Sequence, residues 1–75
     1  MYYFDVYFND ELLAIRVDES EVSVTKLKNN ILRSFPNLNF TKLNLYLQEG
    51  TKLFPLDNNE IVDDEQDFVL KIKND

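Results

Sequence analysis

Residues 22–35, VSVTKLKNNILRSF, decide how this chain is read, because they hold its one clear stretch of helical periodicity. Val24, Leu27, Ile31 and Phe35 recur at the three- and four-residue steps of a helix face, and the positions between them are mostly polar. Ser23 stands where an N-cap hydroxyl accepts from an early backbone N–H, with Val22 and Leu27 at the two positions of a hydrophobic staple. Lys26 sits where a Glu or Gln would complete a capping box, so only the serine half of that motif is present. Pro36 stops the helix. Lys26, Lys28 and Arg33 make it basic.

On either side of the helix the pattern changes to strands. Residues 2–8, YYFDVYF, hold five of the ten aromatic side chains, Asn9, Asp10 and Glu11 form a turn, and Leu12 to Val17 is again β-like. Alternation puts Tyr2, Phe4, Val6, Phe8, Leu13, Ile15 and Val17 on one face, uniformly apolar and therefore the core face. Tyr3, Asp5, Tyr7, Leu12, Ala14 and Arg16 fall on the other. Beyond the helix, Asn37–Thr41 is a connector, and Leu43, Leu45 and Leu47 alternate with Asn44, Tyr46 and Gln48 before a turn at Glu49 and Gly50. Pro55 confines the segment 51–56 to an edge. An acidic loop follows, and Phe68, Leu70 and Ile72 then alternate with Val69, Lys71 and Lys73. The order is ββαβ(β)β: one α+β domain spanning residues 1–75, with a single helix covering one face of a mixed four- to five-stranded sheet.

Composition removes whole classes of chemistry. A chain of 75 residues supports one small core, with net stability of roughly 3–5 kcal/mol. Without cysteine there is no disulfide, thiol nucleophile or cysteine zinc site; without histidine the commonest general base and metal ligand is missing. Ser20, Ser23, Ser34, the lysines and the carboxylates then have no nitrogenous partner to activate them, so the chain reads as non-enzymatic and calls for no cofactor, metal or small-molecule substrate.

The net charge of −6 is local. Asp57, Glu60, Asp63, Asp64, Glu65 and Asp67 lie in one run without a base, and the other eight acids balance the eight Lys and Arg. Nothing clusters lysine and arginine as a phosphate-binding face requires, so nucleic acid is not an expected partner. The acidic run is also a poor EF-hand, since Val62 stands where the loop needs Gly and Phe68 where it needs Glu. No apolar run is long enough for a membrane helix, and the start MYYFDVYFND is unlike a signal peptide, which together point to an intracellular setting, cytoplasmic or nuclear, and no membrane partner. The sequon at Asn39–Thr41 is then incidental.

Two strands, a helix of about three turns, a third strand, a short edge strand and a last strand resemble the ubiquitin-like β-grasp family over the whole chain. SVTKLKNNI reproduces the cap, apolar and lysine spacing of that family's helix; LYLQEG falls at its third strand and turn, and FVLKIK at its fifth strand. The resemblance implies a strand order 2-1-5-3-4. Conjugated members end on Gly-Gly, whereas this sequence ends Ile-Lys-Asn-Asp with Gly50 its sole glycine, so as written it is not conjugatable. KLNLYLQEGTKL also looks like part of the N-terminal ubiquitin-like domain of Crinkler-type effectors, the part that carries a Leu-Phe-Leu-Ala-Lys motif, here Leu45, Tyr46, Leu47, Gln48 and Glu49. VDESEVSVTKLKNNI resembles the Asp-rich turn and helix start of the same domain.

In the ubiquitin-like order the outward residues of strands one, five and three come together. The expected protein-binding set is Tyr3, Tyr7, Tyr46, Gln48, Val69 and Lys71, on the face that partners of the family recognise. Tyr46 and Lys71 fall near an apolar pair of ubiquitin's patch, and tyrosine offers large contact area with a hydroxyl that stays hydrated when unbound. The alternative is charge-paired self-assembly of the PB1 type, with acidic Asp57, Glu60, Asp63, Asp64, Glu65 and Asp67 against basic Lys26, Lys28 and Arg33. The protein partner is unnamed by either reading, and a monomer is the expected resting state.

Overall fold

Residues 2–73 are described in a computed structural model. The ending at Asn74 and Asp75, on which the absence of a Gly-Gly tail rests, lies outside the described residues. Strand β1 (Tyr2–Phe8) runs into β2 (Glu11–Val17) through a turn of only two residues, Asn9 and Asp10, with φ of 51° and 63°. Positive φ at both central positions is the type I′ form of a two-residue hairpin, and Asn and Asp are the side chains other than Gly that tolerate it best. Glu11, expected in the turn, instead opens β2 opposite Phe8.

The chain then passes through β3 (Val22–Ser23), α1 (Val24–Ser34), a 3₁₀ turn (Phe40–Lys42), β4 (Leu43–Glu49), β5 (Lys52–Pro55), β6 (Ile61–Val62) and β7 (Asp67–Ile72). The main sheet has the order β2-β1-β7-β4-β5, antiparallel except for the central β1–β7 pair. With the two-residue strands β3 and β6 set aside, this is the order 2-1-5-3-4. The result is a small α+β domain, one helix packed on a mixed five-stranded sheet in a β-grasp-like ββαββ arrangement. No helix among the described residues is long and apolar enough to cross a membrane.

Alternation places the core as expected. Phe4, Val6, Ile15, Val17, Leu43, Leu45, Phe68 and Leu70 from the sheet meet Val24, Leu27 and Ile31 from α1, all buried. The Phe4 and Phe68 rings pack tilted with centroids 6.0 Å apart, and Phe35, the C-cap residue of α1, meets Phe8 edge to face at 6.2 Å. One helix end is thus anchored by an aromatic pair that bridges to β1.

The other end is anchored by hydrogen bonds. The Ser23 hydroxyl accepts from the Lys26 N–H at 3.2 Å, as its position implied. The Val24 N–H donates to the Glu60 carbonyl and the Thr25 N–H to the Asn58 carbonyl, both at 2.9 Å. The Thr25 hydroxyl adds a second bond to the Asn58 carbonyl at 2.8 Å. The first three N–H groups of α1, which no helical carbonyl reaches, are therefore all satisfied, two of them by a segment more than thirty residues away. That segment is held in place by β6, whose Val62 and Ile61 pair with Val22 and Ser23 of β3.

Candidate protein-docking face

Strand register determines which outward side chains are neighbours. Tyr7 of β1 pairs with Leu12 of β2 and with Val69 of β7; Val69 pairs with Tyr46 of β4; Tyr46 pairs with Pro55 of β5. Leu12, Tyr7, Val69, Tyr46 and Pro55 therefore form one row that crosses all five strands on the face away from α1. Leu12 is 55% exposed and Tyr7 37%, while Val69 and Tyr46 are partly covered by their neighbours. Four inter-strand steps make the row about 19 Å long, and two steps set the Tyr7 and Tyr46 backbones about 10 Å apart.

The next row toward the start of β1 is Ala14, Asp5, Asp67, Gln48 and Leu53. Asp5 and Asp67 are direct neighbours across the parallel ladder, and both are exposed. Like charges so placed repel, by an amount that solvent keeps small. Asp67→Asn is accordingly expected to stabilise the fold by about 0.2–0.5 kcal/mol, a rise in Tm of about 1–4 °C, and the gain should shrink in concentrated salt. Thermal unfolding at two ionic strengths checks both statements.

On the other side of the row lies Lys71, paired with Asn44. Its ammonium sits over the Tyr46 ring, 5.6 Å from the centroid, where the ring face attracts it and the lysine stem covers the tyrosine. Lys71 thus stays in contact with the aromatic surface of the row.

Of the six expected residues, Tyr7, Val69 and Tyr46 are joined in the row, and Gln48 and Lys71 flank it. Tyr3 is separated from them. It pairs with Arg16 and lies four residues from Tyr7 along β1, about 13 Å, with Asp5 between. Sequence reasoning does not reach Leu12, Pro55 and Leu53. Alternation places Leu12 on the outer face, but β5 has no polar–apolar alternation, and only the register joins all three to the tyrosines.

The charge-paired alternative meets a different geometry. Lys28 is buried, 5% exposed, with Nζ donating to Asn58 Oδ1 at 2.7 Å and lying 5.4 Å from the Phe40 ring centroid. Burial lowers its pKa from the usual lysine value by desolvation. Lys28 therefore belongs to the fold and not to an exposed basic face. Lys26 pairs with Glu19 at 2.5 Å, which leaves Arg33 as the helix's exposed cation without an ion pair among the described residues. Two acids of the run are also engaged: Glu60 Oε2 accepts from the Asp57 N–H, and Asp63 Oδ1 from the Glu65 N–H. The first turn of the helix is bonded to the Asn58 and Glu60 carbonyls, so the start of the acidic segment lies beside the helix start within one molecule. No family model matches this chain, and no curated protein matches it.

Proposed function

We propose that this chain is a non-catalytic, ubiquitin-like protein-interaction module that docks a protein partner on the outer face of its sheet. The observation that carries this reading is the unbroken row Leu12–Tyr7–Val69–Tyr46–Pro55, three aliphatic or proline side chains alternating with two tyrosines across every strand. The helix packs the opposite face, so the core does not require these residues to be apolar. Docking would remove the row from water, and tyrosines lose little rotamer freedom when fixed while keeping a hydroxyl for a rim hydrogen bond.

The test separates folding from docking. Tyr7→Ala and Tyr46→Ala each remove two cross-strand pairs worth at most about 1 kcal/mol apiece, less than the roughly 3–5 kcal/mol of the domain, so both variants should keep the wild-type circular dichroism spectrum. Each is expected to weaken the complex with a partner isolated from the source cells by about 30-fold, the effect of losing one central aromatic anchor of about 2 kcal/mol. Unchanged affinity in both variants would rule the face out.

A further inference from the structure

Charged side chains flank the docking row on both long sides, and Asp10 of the hairpin turn stands on the Lys71 side. Asp5 and Asp67 flank it toward the start of β1. Lys71 flanks it on the other side, followed by Lys73, whose N–H donates to the Lys42 carbonyl at 2.7 Å and so carries the β4–β7 ladder and its alternation one residue further. Asp5, Asp67, Lys71 and Lys73 are exposed, and none forms an ion pair among the described residues. Successive outward residues of a strand are about 7 Å apart, so these two acids and two bases stand on opposite sides of an apolar strip about 19 Å long.

A face of this kind matches itself. A two-fold axis along the row, midway between two facing sheets, lays row on row and reverses the strand direction. Asp67 of one copy then faces Lys71 of the other along β7, with Asp5 one strand away and Lys73 one outward position further on, and the same contact occurs twice. An axis along the strands would bring acid against acid and base against base, so charge selects between the two packings. We infer that the outer face pairs with the same face of a second copy, row against row, and that this pairing regulates the docking site by covering it. The inference rests on the reading of the row as a docking surface.

The size of the face sets the strength. Five strands about 4.8 Å apart and four to seven residues long offer about 500 Å² per copy, below the roughly 800 Å² of a standard interface. The dimer is therefore weak and concentration-dependent, open to a partner when dilute and closed when crowded on itself.

Sedimentation equilibrium from about 10 μM to about 1 mM, the range in which small interfaces dissociate, tests it directly. Wild type is expected to move from monomer toward dimer, with dissociation favoured as salt rises from about 0.05 to about 0.5 M. The double variants Asp5→Lys/Asp67→Lys and Lys71→Glu/Lys73→Glu should each be monomeric, because each places like charge on both sides. Their equimolar mixture should recover the dimer, since every opposed pair is again of opposite sign. A wild type that stays monomeric at every concentration overturns the inference, as does a dimer that both variants retain or a mixture that fails to associate. The docking reading is judged separately, by partner affinity in Tyr7→Ala and Tyr46→Ala: a monomeric wild type whose partner binding still falls in those variants sinks self-pairing alone.

Discussion

Phe68→Ala is expected to bring the chain to its unfolding midpoint or beyond at 25 °C. Phe68 is fully buried on β7, the middle strand of the sheet, between Val6 of β1 and Leu47 of β4 in register and against the Phe4 ring. Removing a buried phenyl ring costs about 3–5 kcal/mol, through lost transfer free energy and an incompletely collapsed cavity. A domain of this size has roughly 3–5 kcal/mol of stability in all. Urea titration should show no folded baseline, and amide proton shifts in the random-coil range should appear. Phe54→Ala is the matched control. Phe54 lies on edge strand β5 with 43% of its surface exposed, so its loss should cost about 1 kcal/mol or less and leave a cooperative transition. If both variants fold equally well, the Phe4–Phe68 contact is not the centre of the core.

The second large effect concerns the buried lysine. Lys28→Ala removes three methylenes from the packed stem and is expected to cost about 2 kcal/mol. Lys28→Met keeps most of that packing and removes an ammonium that burial has stripped of water, so it should cost nothing or stabilise. Asn58 is exposed and can give its carboxamide oxygen to water when Nζ is gone. The two variants therefore move in different directions although both delete the same charge and hydrogen bond.

Their pH dependence adds a sign. Desolvation lowers the folded-state pKa of Lys28 below the ordinary lysine value of 10.5. Between those two values the unfolded chain holds a proton that the folded chain has released, so stability rises with pH in that window. Below the folded pKa both states are charged and the desolvation cost is constant. The stability of wild type relative to Lys28→Met should accordingly be flat at neutral pH and increase through the alkaline window. Taking the difference between the two proteins cancels the tyrosines, which titrate in the same range. A difference that stays flat up to the ordinary lysine value of 10.5 would mean that the ammonium is solvated in the folded state.

The helix pattern already contained the sign of this burial. Lys28 lies four residues after Val24 and three before Ile31, on the same stripe as the core positions, yet its residue type assigns it to the basic face. A long side chain satisfies both facts by burying its stem and carrying its head to Asn58. Strands β1, β2, β4 and β7 were legible for a simpler reason: each has six or seven residues, long enough for period-two alternation to separate a core face from an outer face. β3 and β6 were not, because a two-residue strand has no period and exists only through its partner about forty residues away. The acidic run was legible as charge but not as structure, since residue type does not say which carboxylate will accept a backbone N–H. Tyr3 groups with Tyr7 in the sequence because alternation assigns faces and not positions along a face; the pairing of Tyr3 with Arg16 places it beyond the acidic pair.

The bonds from Val24 and Thr25 to the carbonyls of Glu60 and Asn58 also order events during synthesis. A nascent chain that has emerged only through residue 56 carries the helix sequence with two open N–H groups at its start, and it lacks β7, the strand that must lie between β1 and β4. Water serves the open N–H groups in the meantime, but nothing nearby in the chain replaces the missing strand. The first hairpin can close early, but the helix gains its full set of bonds and the sheet its middle strand only when nearly the whole chain is clear of the ribosome, so this domain folds at the end of its translation and not along it.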